Sequence, residues 1–238
     1  MSGNVQALAG NLVNRSLTAV AAGDLEIGRA TAEENFELTR GLDASLVCAA
    51  GVALAAALLE NGDPERAVDV LVRSSGGYEL RLIPGVWRPR SLELVTRCLL
   101  ALGRPSEAAR SAARTEATAA ALRLRMADSM ADRAAAAVAL DAGDPDFAAE
   151  RALASAVAAE EVAAPIEAAL SRALADRALA QAHQSERATA ELRRAAAELP
   201  PAARSDTARR LSGNFDVSAT ASTAGRGPAN ATGVASRL

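Results

Sequence analysis

Asn61-Gly62-Asp63-Pro64 is a helix stop that the sequence repeats about every forty residues. The other copies are Ala22-Gly23-Asp24, Leu102-Gly103-Arg104-Pro105 and Ala142-Gly143-Asp144-Pro145, followed by a degenerate copy at Ala182-His183-Gln184-Ser185. Glycine at a helix end accepts the left-handed backbone conformation that other residues resist. The Asp that follows it in three copies can cap the next helix, and Pro suits a first helical position. The pattern therefore predicts a series of helical hairpins.

Residues on both sides of each stop also recur. Five residues beyond the turn position lies a small residue in every copy: Gly28, Ala67, Ala108, Ala148 and Ala188. Three residues before the turn position lies an apolar residue in every copy: Val20, Leu59, Leu100, Leu140 and Ala180. A small side chain on the second helix opposite an apolar one on the first allows two antiparallel helices to pack closely.

The predicted fold is all-α, an α-solenoid of about five tetratricopeptide-like hairpins with a period of about forty residues. First helices are expected near residues 5–22, 44–60, 89–102, 125–141 and 164–181. Their partners are expected near 24–40, 64–73, 105–121, 145–162 and 184–198. A single hairpin cannot bury its apolar face, so neighbouring hairpins must stack. The composition agrees, because half of the residues are hydrophobic but only 2% are aromatic, which does not suit a β-sandwich or barrel.

Residue usage argues against catalysis and against cofactors. All 26 basic residues are arginine, which excludes a P-loop lysine and Schiff-base chemistry. His183 is the only histidine and lies in a predicted turn, where an exposed polar residue needs no catalytic explanation. One histidine and two separated cysteines supply no metal-ligand cluster. We therefore predict a protein that is not an enzyme and binds no cofactor or metal.

The expected location is a reducing cytoplasm. Cys48 and Cys98 lie within apolar helical runs and are expected to be buried thiols. The N-terminus carries no signal-peptide pattern, and the uncharged stretch Ala44–Leu59 is shorter than the ~20 residues that span a bilayer. The net charge of −3 does not provide the field of a nucleic-acid binder. No membrane or direct nucleic-acid partner is expected.

The run from Trp87 to Arg110 resembles the helical-repeat region of large MalT-like, LuxR-type actinobacterial regulators. The run from Ala142 to Leu199 and the closing Thr207-Ala-Arg-Arg-Leu211 are similar to it as well. Those regulators carry an N-terminal ATPase, a tetratricopeptide-like middle and a C-terminal helix-turn-helix. This sequence contains no P-loop and no helix-turn-helix. The resemblance therefore implies the ligand- or partner-sensing middle module alone.

The sequence predicts a repeat domain over 1–212, with a short closing helix at 202–212, and a disordered tail over 213–238 rich in Ser, Ala and Gly. Three interpretations of such a chain stay open. It is a regulatory interaction module, a stand-alone adapter for a peptide or protein, or a truncated remnant of a regulator. Self-association is also open, and the sequence does not name the partner.

Candidate binding residues follow from the resemblance, which implies that first helices line the concave face. The polar residues on those predicted helices are Glu93, Arg97, Asp132, Arg133, Arg172, Asp176 and Arg177. Arg97 and Arg177 both lie six residues before their turns, so they could form a basic ladder for a carboxylate or an acidic peptide. The alternative is ordinary surface charge paired within helices, such as Arg172 with Asp176.

Trp87 belongs to the only long internal connection, residues 74–88, which also holds the sole tyrosine, Tyr78. An exposed tryptophan could anchor a partner. Because large side chains are scarce in this chain, we favour a Trp87 that fills the junction between two hairpins.

Overall fold

The computed structural model describes residues 2–198, and within them the chain forms ten α-helices joined by short turns and one longer linker. The helices are α1 (Ser2–Ala22), α2 (Leu25–Thr39), α3 (Ala44–Glu60), α4 (Pro64–Ser74), α5 (Arg88–Ala101), α6 (Pro105–Leu122), α7 (Arg125–Asp141), α8 (Pro145–Glu160), α9 (Pro165–Gln181) and α10 (Ser185–Glu198). The predicted closing helix, the boundary at residue 212 and the tail lie outside the described residues.

The five hairpins are α1–α2, α3–α4, α5–α6, α7–α8 and α9–α10, as the forty-residue period predicts. Gly23, Gly62, Gly103 and Gly143 all take positive φ, between 66° and 100°, and His183 does so in the degenerate copy with a φ of 60°. The residue after the turn position donates its N–H to a carbonyl of the first helix, as in Asp63 to Leu58 at 3.0 Å. Each stop therefore uses the same left-handed helix end.

Capping by aspartate is only partly as predicted. The Asp63 carboxylate accepts from the N–H of Arg66, and the Asp144 carboxylate accepts from that of Phe147. Asp24 makes no side-chain cap bond, so the prediction of a cap is wrong at the first turn.

The predicted close approach of paired helices is confirmed. All five small residues beyond the turns are buried. A Cβ built on Gly28 would lie 2.6 Å from Cγ2 of Val20, the apolar residue predicted to face it. A Cβ on Gly51 of α3 would lie 2.0 Å from Oγ of Ser74 on α4. Contacts this short leave no room for a methyl group, so helix packing depends on glycine at these points.

The core is built from alanine and leucine, with its largest cluster between α3, α4 and α5 and a second one around α7, α8, α9 and α10. First helices of neighbouring hairpins pack against one another, whereas second helices pack mainly against first helices. The main contacts between neighbouring hairpins therefore all involve a first helix. Within the described residues, no helix combines the length and apolarity needed to cross a membrane.

Candidate functional site

A groove of about 510 Å³ crosses the C-terminal ends of the first helices α3, α5, α7 and α9. Its apolar lining comes from Leu59, Leu100, Leu140 and Leu174. Three of these leucines are the residues that precede the helix stops by three positions. The repeat therefore builds most of the floor of the groove, because three successive hairpins contribute the equivalent leucine and α9 contributes Leu174.

Charged side chains of both signs line the same groove. Arg97 on α5 and Arg177 on α9 both reach it, as do Glu60 at the end of α3 and Asp141 at the end of α7. The two arginines that the sequence places at equivalent positions are thus brought to one surface. Their role as ligands for a partner stays a prediction.

Arg97 is partly committed to neighbours within the chain. Its guanidinium contacts the Glu60 carboxylate, and its Nε lies 4.0 Å from Oε1 of Glu93. Burial by itself would lower the pKa of Arg97, but these two carboxylates outweigh it and raise the pKa above its usual value. About one fifth of the side chain stays exposed, so Arg97 is a charged group that a ligand in the groove can reach.

A charge ladder with a buried centre begins at the groove, and we define it as Glu60, Arg97, Glu93, Arg133, Glu167 and Arg90. Nε of Arg133 lies 3.0 Å from Oε1 of Glu93, and Nη1 of Arg133 lies 2.6 Å from Oε2 of Glu167. Nη1 of Arg90 lies 2.7 Å from Oε1 of Glu167. The signs alternate along the ladder, and its members come from α3, α5, α7 and α9. The ladder therefore ties four first helices together.

The centre of the ladder is shielded from solvent, since the side chains of Glu93, Arg133 and Glu167 are only 3–7% exposed. Burial alone would raise the pKa of Glu167, but Arg133 and Arg90 lower it to about 2. Burial alone would lower the pKa of Arg133, but Glu93 and Glu167 raise it. These groups are charged when folded and hold helices together, and a ligand in the groove does not contact their buried centre.

Arg172 is also buried, at 1% exposure, and its guanidinium contacts Glu160 at the end of α8 and Glu191 on α10. The candidate intrahelical partner Asp176 is half-buried, and burial raises the pKa of its carboxyl while Arg177 opposes that rise. The structure thus places Arg172 among three helices of the last two hairpins, away from the solvent-exposed face on which it was predicted.

Asp132 on α7 does not line the groove. Its carboxylate is 2.9 Å from Nη2 of Arg151 on α8, and the same Nη2 is 2.8 Å from Oε1 of Glu116 on α6. Burial raises the pKa of Asp132, and Arg151 partly opposes this effect. Asp132 therefore joins second helices to α7 and does not line the groove.

The prediction that Trp87 fills the junction between two hairpins is wrong. Trp87 lies in a 3-10 turn, Gly85–Trp87, and is 62% exposed, so it does not fill the junction between hairpins. Leu80 and Ile83 of the same linker are buried in the core cluster instead. The smaller aliphatic side chains fill the junction, and Trp87 is left facing solvent.

Other polar side chains bond within the stack. Oγ of Ser155 lies 3.1 Å from Oγ of Ser129 and 2.7 Å from Oγ of Ser171, which joins α7, α8 and α9. Both cysteines are buried free thiols, as predicted, and burial raises the pKa of Cys98 to about 12. Among residues 2–198, no group of three or more His, Cys, Asp or Glu is arranged to hold a metal ion.

Sequence comparison finds no matching family model and no matching curated protein. The fold does match solved structures of the nearly identical tetratricopeptide-like repeats of a predicted kinesin light chain from Podospora anserina. One has a TM-score of 0.51 at 16% identity, covering 83% of this chain and 96% of that one. A single-substitution variant of the same repeats has a TM-score of 0.52 at 16% identity, covering 82% and 94%. The likeness shows that this chain has the fold of an all-α, tetratricopeptide-like repeat solenoid.

Proposed function

We propose that this chain is a non-catalytic interaction module whose groove binds a segment of a partner protein. One observation carries the proposal: equivalent arginines from two hairpins, Arg97 and Arg177, reach one leucine-floored groove that crosses four first helices. Concave grooves with an apolar floor and a few placed polar groups are the usual form of a ligand site.

The lining defines the chemistry of the segment. Leu100, Leu140 and Leu174 offer an apolar floor for apolar side chains. A guanidinium carries five N–H donors, so Arg97 can keep Glu60 and still donate to a carboxylate of the ligand. Glu60 and Asp141 favour a basic group elsewhere on the same segment. The best ligand is a short amphipathic peptide with at least one acidic side chain.

The regulatory setting is a finer proposal that rests on the resemblance of Trp87–Arg110 and Ala142–Leu199 to MalT-like, LuxR-type regulators. We infer that the partner belongs to a transcriptional regulator, and that occupancy of the groove changes which surfaces of the assembly are available. Co-purification with a separate ATPase or helix-turn-helix chain supports this setting. Partners without any link to transcription support the stand-alone adapter instead.

The first experiment selects peptides from a random displayed library against the purified chain and measures their Kd by fluorescence anisotropy. Ala101 is exposed in the groove, so Ala101→Glu and Ala101→Arg change its charge without removing a packing contact. Against an acidic peptide, Ala101→Glu is expected to weaken binding about tenfold, and Ala101→Arg to preserve or strengthen it. Equal affinity for both variants would rule out the groove as the site.

A second pair of variants tests the arginines. The double variant Arg97→Ala/Arg177→Ala removes two charge-assisted contacts and is expected to weaken binding roughly 10- to 100-fold. The affinity of the wild type should fall steeply as salt concentration rises, and that dependence should be lost in the double variant. The matched control is Arg73→Ala with Arg110→Ala, because both side chains are exposed on second helices away from the groove. Circular dichroism melts identify any loss caused by unfolding. A control pair that weakens binding as much would contradict the proposal.

A further inference from the structure

A second surface lies at the other end of the first helices, where α4 leads into α5 and α6 leads into α7. There, Leu82, Val86, Trp87 and Leu124 are exposed, and we call these four residues the edge patch. Trp87 is 62% exposed and Val86 57%, although the chain has few large side chains. Tryptophan on a surface is unusual unless it contacts a partner, since it is enriched among residues that dominate binding energy.

The linker that carries most of the patch is held along α6. Glu79 pairs with Arg114 of α6 at 2.6 Å. A Cβ built on Gly85 would lie 4.0 Å from Cδ2 of Leu122, at the end of α6. The turn Gly85–Trp87 therefore lies beside the end of α6, two residues before the exposed Leu124.

The linker is also fixed from within. Leu80 and Ile83 are buried, the N–H of Leu82 bonds to the Ser75 carbonyl at 3.1 Å, and Arg88 donates to the Ile83 carbonyl at 3.1 Å. Leu80 takes a φ of 49°, a costly conformation for leucine that its packing must stabilise. The exposed side chains are thus presented by an ordered backbone, which lowers the entropy lost on binding.

The charge around the patch is basic. Arg81 and Arg123 flank it and are exposed, and within residues 2–198 neither takes part in an ion pair. Arg125 next to Leu124 differs, since it pairs with Asp128 and Glu161. We propose that the edge patch docks an acidic, amphipathic segment of a partner protein, with apolar side chains on Trp87 and Val86 and carboxylates on Arg81 and Arg123.

A protein partner fits better than an anionic membrane. Basic residues are attracted only weakly, one by one, to an anionic surface, so two arginines contribute little on a chain whose net charge is −3. Docking of a complementary acidic segment desolvates the arginines and buries the four apolar side chains together. This surface is separate from the groove, so it goes beyond the proposed function and stands or fails independently.

The test uses Trp87 itself, because it is the only tryptophan and reports on this surface alone. Peptides without tryptophan are selected from a displayed library on the wild-type chain, with counter-selection on Val86→Ser/Leu124→Ser. We expect acidic, apolar peptides that shift Trp87 emission to the blue. Arg81→Glu/Arg123→Glu should weaken them at least about tenfold, and the groove variant Ala101→Glu should leave their affinity unchanged.

Three results would overturn the inference. The first is a selection that yields no peptide dependent on Val86 and Leu124. The second is enrichment of basic or neutral peptides that bind equally to the Arg81→Glu/Arg123→Glu variant. The third is a blue shift of Trp87 produced by phosphatidylglycerol vesicles and by no selected peptide, which would make this surface a lipid-binding one. Failure of the groove proposal would instead appear in the separate selection without counter-selection, as insensitivity of every selected peptide to Ala101→Glu.

Discussion

Replacement of Arg133 by methionine tests the buried charge ladder most sharply. The substitution keeps most of the side-chain volume and removes the cation between Glu93 and Glu167. Breaking a buried ion pair on one side typically costs about 3–5 kcal/mol, because a buried charge is left uncompensated. Here Glu167 keeps Arg90 at 2.7 Å, and Glu93 keeps Arg97 at 4.0 Å. We therefore expect the lower end of that range, about 3 kcal/mol.

The assay is urea unfolding followed by circular dichroism, with Arg133→Met compared with the wild type. A matched control is Arg73→Met, whose partner Asp69 forms an ion pair on the exposed side of α4, and which should change stability by less than about 1 kcal/mol. Adding Glu93→Gln to Arg133→Met should recover part of the loss, because it removes the carboxylate left with only a distant cation. A loss below about 1 kcal/mol for Arg133→Met, or no recovery in the double variant, would refute the reasoning.

Four further predictions follow from single sites. The pKa of Glu167 is lowered from the usual 4.5 to about 2 in the folded chain, so the stability that its charge provides is lost as pH falls from about 4.5 towards 2. Glu167→Gln should therefore flatten the curve of unfolding free energy against pH in that range. An unchanged slope would count against the ladder. Gly28→Ala should destabilise by about 1–3 kcal/mol in urea melts because its methyl group meets Val20, and Val20→Ala should restore part of that stability; equal loss in the double variant would contradict the contact. His183→Gly should raise the free energy of unfolding by about 1 kcal/mol because φ is 60° there, and a decrease would argue against strain at this turn. The Cys98 thiol, with a pKa of about 12, should resist alkylation at pH 8 until the chain is unfolded, and fast labelling of the native protein would show that the core opens.

The hairpins can be predicted from sequence because the residue types at each helix stop determine the local backbone conformation. Gly62 and Gly143 mark left-handed helix ends, and the spacing carried the prediction to His183, where the residue type alone gives no such signal. Small residues such as Ala108 identified the close face of each second helix. Helix ends and close contacts within a hairpin involve residues a few positions apart, so the sequence pattern reveals them directly.

The sequence does not reveal the buried ladder, because most of its pairs join different hairpins. Glu93 and Arg133 lie 40 residues apart, which is one full period, so opposite charges at equivalent positions of adjacent first helices were a readable signal. Glu167 gave no such signal, since its partners are 34 and 77 residues away. Which polar residues face inward depends on the angle between hairpins, and that angle is a tertiary property.

Trp87 differs from the ladder residues, because it was expected to be buried and is exposed. The scarcity of large side chains in this chain favours a prediction in which Trp87 fills a junction between hairpins. The linker turns through Gly76 and Gly77 and buries Leu80 and Ile83 in its place, which leaves Trp87 outside. Composition does not determine which side chains of such a linker are buried and which are exposed, so only the structure identifies the exposed surface.

Hydrogen–deuterium exchange with and without a selected groove peptide tests the central claim most directly. The account predicts slower exchange at the C-terminal turns of α3, α5, α7 and α9, whose side chains line the groove, and little change along α4, α6 and α8. Because helix ends exchange faster than helix centres, protection there is measurable. Protection confined to the second helices, or absent from these turns while the peptide is bound, would contradict the groove as the binding site.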